Sequence, residues 1–336
     1  MRFLAYLAMR IGWLIAVMLG VVTLTFLITN VVPADPARLA AGLEAQQAQV
    51  DTMRHLMGLD QPLPVQYWNY LVRLLHGDLG LDARSQRPVV TQLAEYFPAT
   101  FELVIVTMTL YILLGVIGGV AAAVERGSWV DKGAQLLSLG GLAMPPFWVA
   151  IVFQVVFFAQ LHWLPATGRL SAVLAPPPHI TGLYLVDSLV AGQWGTWCDA
   201  AVHIMLPAVT LLVGSVANVL RITRRAMLQV FAQPYVATAR AKGLSERIVI
   251  WRHCLRNSAI PILTMIGLQA GYLFSGAIII EIVFSWPGLG KYAVDSIANL
   301  DFPPIMGVTL IVAAAFVLIN LLIDLAYPLV DPRIVY

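Results

Sequence analysis

The chain has 336 residues, 60% of them hydrophobic and only 11% charged, with a formal net charge of +2. A water-soluble domain carries about 25% charged residues, and a mean hydropathy of +0.81 makes lipid the solvent for most of this chain. Nucleic acid is not an expected partner at so small a charge, and Cys198 and Cys254 supply neither a disulfide framework nor a metal spacing.

A spanning helix needs roughly 20 apolar residues. Six runs qualify: about Ile11–Val31, Thr100–Val124, Leu136–Leu161, Val202–Leu220, Ile260–Phe284 and Pro304–Leu329. The first follows Arg2 and Arg10 and reads as a retained signal-anchor, because it is long enough to cross and five more runs follow. The segment from Pro33 to Pro98 comes next. In it Val50, Met53 and Met57 fall at helical spacing, as do Val65, Trp68, Val72 and Leu75. Pro62 and Pro64 divide these two short amphipathic helices. They either lie on the membrane surface, capping the bundle, or help receive a partner.

The second run opens at Glu102 and carries Gly115 and Gly119; the fifth carries Gly267 and Gly271. That four-residue spacing lets helix backbones approach closely, and bundle packing is the reading it supports. Pro145 and Pro146 interrupt the third run, and Pro207 and Pro261 enter the fourth and fifth. These are candidate bends around a pathway, since freed backbone groups are tolerated in lipid only where protein or water satisfies them. Residues His162–Ala201, rich in Pro and Gly, read as a structured loop with little regular content. Glu102, Glu281 and Asp324 sit near span ends. The two glutamates read as structural hydrogen-bonding groups, with a transport role as the alternative, and Asp324 as an anchor to the cytoplasmic side; the three make no proton-relay chain.

Between the fourth and fifth runs, Arg221 to Arg256 holds eight of the chain's twenty Lys and Arg, with Glu246 its only acid. With the N-terminus inside, the inside pieces carry thirteen Lys and Arg and the outside pieces seven. Five of those seven lie in the long Pro33–Pro98 segment, where the charge rule is weak. Both termini and the basic loop are therefore expected in the cytoplasm. The loop alternates apolar and basic residues at helical spacing and breaks at Gly243, the organisation of a docking surface rather than of a topology signal alone.

Enzymatic motifs are absent. The nearest string to a phosphate-binding loop, Pro287-Gly288-Leu289-Gly290-Lys291-Tyr292, lacks the first Gly and the Ser or Thr that holds magnesium. The sequence has no H-E-x-x-H and no G-x-S-x-G. The six His are scattered over both sides of the membrane, so no metal site is expected.

An ordered series of strings along nearly the whole chain resembles the permease of ATP-binding-cassette importers, in the dipeptide, oligopeptide and nickel branch and nearest its dipeptide B-type subunit. It runs from Met57-Gly58-Leu59-Asp60-Gln61-Pro62-Leu63, with Met57 in place of the family's first Leu, through Gly77-Asp78-Leu79-Gly80, Arg87-Pro88-Val89 and Pro98-Ala99-Thr100. Met144-Pro145-Pro146-Phe147-Trp148 and Trp163-Leu164-Pro165 follow. The basic loop supplies Tyr235 through Leu244, then Arg256-Asn257-Ser258-Ala259-Ile260-Pro261. Phe284-Ser285-Trp286-Pro287-Gly288-Leu289-Gly290 ends the series. Two strings depart from the family. Ala237-Thr238-Ala239 stands where the superfamily often has Glu-Ala-Ala, and Pro33-Ala34-Asp35-Pro36 where it has Pro-Gly-Asp-Pro.

The resemblance implies an all-α integral membrane protein with the type I importer permease fold. It implies six transmembrane helices, both termini cytoplasmic, in the bacterial plasma (inner) membrane. The expected parts are a first helix over 1–32, an extracytoplasmic helical segment over 33–99, and a core over 100–336 with a coupling loop at 221–258. Tyr235, Ala239, Arg240, Ala241, Lys242, Gly243, Leu244 and Arg256 become the ATPase-coupling residues. Gly77, Asp78, Gly80, Pro98, Pro145, Pro261, Pro287, Gly288 and Gly290 become structural family positions. The implied partners are a second homologous permease, two ATPase subunits, an extracytoplasmic solute-binding protein and the lipid bilayer. The chain would bind no cofactor and have no catalytic residue, ATP and Mg belonging to the ATPases. A loop string, Ile180-Thr181-Gly182-Leu183-Tyr184-Leu185-Val186-Asp187, looks like that of dipeptide members. Gln86-Arg87-Pro88-Val89 and Gly290-Lys291-Tyr292-Ala293-Val294 also resemble nickel permeases, so cargo stays open between peptides and nickel or a metal chelate. The alternative of another class is an ATP-independent carrier or channel.

Overall fold

The computed structural model describes residues 2–31, 36–42 and 45–330. Those residues are overwhelmingly helical, and one isolated antiparallel bridge joins Leu81 to Pro88. In chain order the helices are α1 (Arg2–Val31), α2 (Pro36–Ala41), α3 (Gln47–Leu56), α4 (Leu63–Leu75) and α5 (Val89–Val124). Then come α6 (Trp129–Ala143), α7 (Pro146–Phe153), α8 (Tyr184–Val190), α9 (Trp194–Phe231), α10 (Pro234–Ala241) and α11 (Glu246–Ile248). The last are α12 (Ala259–Val283), α13 (Leu289–Ala298) and α14 (Phe302–Val330). Two π-helical turns, Gln154–Gln160 and Val249–Leu255, extend α7 and α11.

Among the described residues five helices are long and apolar enough to cross a membrane, within α1, α5, α9, α12 and α14. The third expected span is not one helix. It divides into α6 and α7 at Met144, which is extended at φ −96° and ψ 127°. Steric conflict with the ring of Pro145 drives Met144 out of the helical region, and two consecutive prolines remove two donors. The other prolines break nothing. Pro207 sits inside a continuous α9. Pro261 lies in the first turn of α12, where its missing N–H would have had no helical acceptor. α9 has 38 residues, about 57 Å at 1.5 Å per residue. The hydrocarbon core is about 30 Å thick, so this helix is longer than the apolar layer it would cross.

The chain divides into two compact units. One comprises residues 1–3, 100–286 and 316–336; the other, residues 4–99 and 287–315. Both glycine pairs act inside the first unit. A side chain on Gly115 would overlap Val219, and one on Gly119 would meet Thr223 Cβ at 2.6 Å and the Leu220 carbonyl at 2.9 Å. Side chains on Gly267 and Gly271 would likewise strike Ile323 and Phe316. The two pairs seat α5 on α9 and α12 on α14, as the bundle-packing reading requires.

The second unit has two apolar clusters. In one, Val22 and Phe26 of α1 pack with Tyr70 of α4 and Leu310 of α14. In the other, Val89 and Leu93 of α5 pack with Leu289, Tyr292 and Ala293 of α13 and Val308 of α14. Both expected helices of the Pro33–Pro98 segment are present, as α3 and α4. The stripe read on α4 is not its packed face, however: Trp68 and Leu75 are 65% and 86% exposed while Tyr70 is buried. Residues 33–35 of the Pro-Ala-Asp-Pro string, and Arg333, lie outside the described residues.

Candidate functional site

The basic loop is a folded helical hairpin. α10 starts at a proline, whose fixed φ suits the first helical position, and stops at Gly243. There φ is +75°, a region an L-side chain enters only at a cost of about 1–2 kcal/mol. The Gly243 and Leu244 N–H groups donate to the Arg240 and Ala239 carbonyls at 2.9 and 3.3 Å, which closes the helix with a Schellman turn. Underneath, Val236 and Ala239 are buried with Met227, Val249, Cys254 and with Val120 and Ala123 of α5. The loop therefore rides on the ends of two long helices.

Of the expected coupling residues, Tyr235, Arg240, Ala241, Lys242, Gly243, Leu244 and Arg256 are exposed on this surface, whereas Ala239 is turned into the core. Arg240 donates to both carboxylate oxygens of Glu246, at 2.8 and 3.1 Å, and lies 5.9 Å from the Phe231 ring. The hydrogen bonds from Arg240 hold the Glu246 carboxyl below its ordinary value. Arg224, by contrast, is mostly buried. It donates from Nε and Nη2 to Asp131 at 2.5 and 2.8 Å. Asp131 sits in the first turn of α6, behind the N-cap Ser128, and also accepts from the Gly127 N–H at 3.0 Å. Those bonds, that from Arg224 foremost, outweigh burial and depress its carboxyl strongly. The remaining six basic residues make no ion pair among the described residues. Arg221 is half-buried and donates to Asn218 at 3.0 Å, and the other five leave a net positive, exposed face.

The 162–193 loop is held by three carboxylates. Glu102 accepts from Arg169 Nη2 at 2.6 Å and from the Leu185 N–H at 2.7 Å. The Arg169 guanidinium lies 3.7 Å from the Tyr184 ring and 5.7 Å from that of Trp286. Asp187 accepts from the N–H groups of Thr181 and Gly182 at 2.9 and 2.8 Å and from Thr181 Oγ1 at 2.7 Å. Asp199 accepts from the Ser171 N–H at 2.7 Å. Glu281, with no exposed surface, accepts from Thr100 Oγ1 at 2.6 Å. Both glutamates are thus hydrogen-bonded inside the fold. Arg169 was counted only as a topology charge, because nothing in its sequence neighbourhood announces a carboxylate 67 positions away.

Several of the family positions lie in the second unit. Gly77 and Gly80 have φ of +75° and +86°, and the Gly80 N–H donates to Asp78 at 2.9 Å. Leu79 between them packs in the cluster that holds Leu289 and Tyr292, just beyond Pro287 and Gly288, while Gly290 is buried on α13. Pro98 lies within α5, and Pro145 is the N-cap of α7.

Helices of this length and lipophilicity define a multi-pass membrane protein. Residues 115–336 match the family described as binding-protein-dependent transport system inner membrane component, and residues 2–104 match its N-terminal companion family. The chain belongs to this family: it is a multi-pass bacterial inner-membrane protein, a non-catalytic permease subunit that works with other transporter subunits. It is 42% identical over 334 residues to a probable D,D-dipeptide transport system permease protein of Escherichia coli (strain K12), covering 99% of this chain and 98% of that protein. It is 39% identical over 333 residues to a dipeptide transport system permease protein of Alkalihalophilus pseudofirmus, covering 99% and 100%. It is 38% identical over 333 residues to a glutathione transport system permease protein of Pectobacterium atrosepticum, covering 99% of each.

Proposed function

We propose that this chain is one half of the translocation pathway of an ATP-driven importer of di- or oligopeptides. The observation that carries the cargo is the end-to-end similarity to permeases named for dipeptides and for glutathione, itself a peptide. A second, homologous permease supplies the other half. Two ATPase subunits bind ATP and Mg and dock on the exposed face of α10 and its Gly243 turn. An extracytoplasmic binding protein delivers cargo to the opposite side.

In this reading α6 and α7 together make a sixth, discontinuous crossing; the short apolar helix over Pro146–Gln160 supports it. Six crossings put both termini in the cytoplasm, in agreement with the distribution of Lys and Arg. Closure of the ATPases pushes α10 as a rigid body, because Val236 and Ala239 are locked to α5 and α9. ATP must favour one state by several kcal/mol to shift the population decisively.

The test is uptake in vesicles by the chain co-expressed with its genomic neighbours, with labelled dipeptide, with and without ATP, and with nickel chelate as competitor. Dipeptide uptake that needs ATP and ignores nickel is the expected result. Metal uptake would replace the cargo, and uptake without ATP would overturn the mechanism.

A further inference from the structure

α4 has three distinct faces. At 3.6 residues per turn its side chains fall into three arcs, each about 80–100° wide. Tyr67, Tyr70, Leu71 and Leu74 form the first, packed on Val22 and Phe26 of α1 and Leu310 of α14, with Met18, Val21 and Met306 around them. The Phe26 ring lies 5.2 Å from Tyr67 and 5.8 Å from Tyr70, and the Tyr67 hydroxyl shares a 2.6 Å hydrogen bond with Thr23. Gln66, Asn69, Arg73 and His76 form a polar arc, in which Gln66 and Asn69 bond to the 59–61 turn. Val65, Trp68, Val72 and Leu75 form the third. It is apolar, yet Val65, Trp68 and Leu75 are 42%, 65% and 86% exposed.

The packed arc fixes a depth. The apolar span of α1 runs over Ala8–Thr29, so Phe26 and Thr23, which the tyrosines of α4 touch, stand about 4 and 9 Å below its Thr29 end at 1.5 Å per residue. The span of α14 begins at Phe302, which places Leu310 about 12 Å inside. Two helices from opposite ends of the sequence thus place α4 within about 12 Å of one edge of an about 30 Å hydrocarbon core, near the headgroup–acyl boundary. We propose that α4 is embedded in the leaflet at the Thr29 end of α1, with Val65, Trp68, Val72 and Leu75 against lipid acyl chains and the polar arc toward water. Leu24, Leu27 and Ile28 on the α1 span are likewise exposed, at 62%, 50% and 61%. A helix satisfies its own backbone groups, the condition for lying at that depth, and its composition is that of an interfacial amphipathic helix.

Nitroxide labels test this. Single cysteines are placed in a Cys198→Ser background of the full-length chain, co-expressed with its partner subunits and reconstituted in phospholipid vesicles. Collision with oxygen, which concentrates in lipid, is compared with collision with a water-soluble nickel chelate. Val65→Cys, Trp68→Cys and Leu75→Cys are expected to favour oxygen several-fold, and Asn69→Cys and His76→Cys the chelate. Equal chelate access on both arcs would put the helix in water. Shielding of the apolar arc from both reagents would mean that protein covers it; either result overturns the proposal. If Trp68→Cys fails to assemble, Val65→Cys and Leu75→Cys give the same reading from the same face.

Discussion

At the scale of single residues, charges in this chain are used in two ways that composition does not separate. Asp131 and Arg224 form a pair whose side chains are 3% and 20% exposed. Removing one partner of a fully dry pair costs about 3–5 kcal/mol, but water reaches part of this guanidinium. Asp131→Asn should therefore lower the stability of the purified protein by about 2 kcal/mol, read as a lower melting temperature. Arg224→Gln in the same background should add little, because the pair is already broken. Asp187 gives a pH effect of known sign. Burial pushes its carboxyl up, but the hydrogen bonds from Thr181, Gly182 and Ile180 outweigh burial and the net shift is downward. A depressed carboxylate contributes stability above its unfolded value of about 3.9 and loses it as pH falls through the lower folded value. Protection of the amides in residues 180–187, measured against the intrinsic exchange rate at each pH, should be high at neutral pH and fall as the pH drops below about 4. Asp187→Asn should lower that protection throughout and abolish that dependence.

At the scale of elements, two glycines predict opposite failures. Nothing lies within 4 Å of a Cβ built on Gly243, whose φ is +75°. Gly243→Val therefore strains only the turn after α10. The chain should insert and assemble at wild-type levels while ATP-coupled uptake is lost; unchanged uptake would remove the coupling role from this turn. Gly271 is helical and pressed on Phe316, so Gly271→Leu should instead separate α12 from α14 and cut the yield of folded protein before activity is measured. The third expected span shows the same contrast between pattern and geometry. Its run of apolar residues over 136–161 is continuous in hydropathy, yet Pro145 and Pro146 turn it into two helices. The interruption at Pro145 and Pro146 was visible in the sequence; that Pro207 leaves α9 continuous was not.

At the scale of the whole molecule, the two cysteines report sidedness less symmetrically than their positions imply. The expected topology puts Cys254 on the cytoplasmic side and Cys198 on the other. Cys254 is buried with no exposed surface, and burial also raises its thiol above the usual range. An impermeant maleimide should therefore modify Cys198 from the extracytoplasmic side and leave Cys254 untouched until denaturation. Lys242→Cys, on the exposed turn, should react only from the cytoplasmic side; the reverse pattern would invert the proposed topology. Hydropathy and charge by themselves determined the class of protein, the position of nearly every long helix, the close-packing glycines and the basic loop. These are local properties, set by how many consecutive residues prefer lipid and where a backbone must turn. Tertiary structure alone decided which charges are free. It paired Arg224 with Asp131 across 93 positions and Arg169 with Glu102 across 67. It also turned Ala239 inward and put the packed face of α4 on Tyr70 instead of Trp68. Each of those outcomes depends on which helix lies alongside which, and a helix with apolar residues on two faces offers a linear sequence no reason to prefer one.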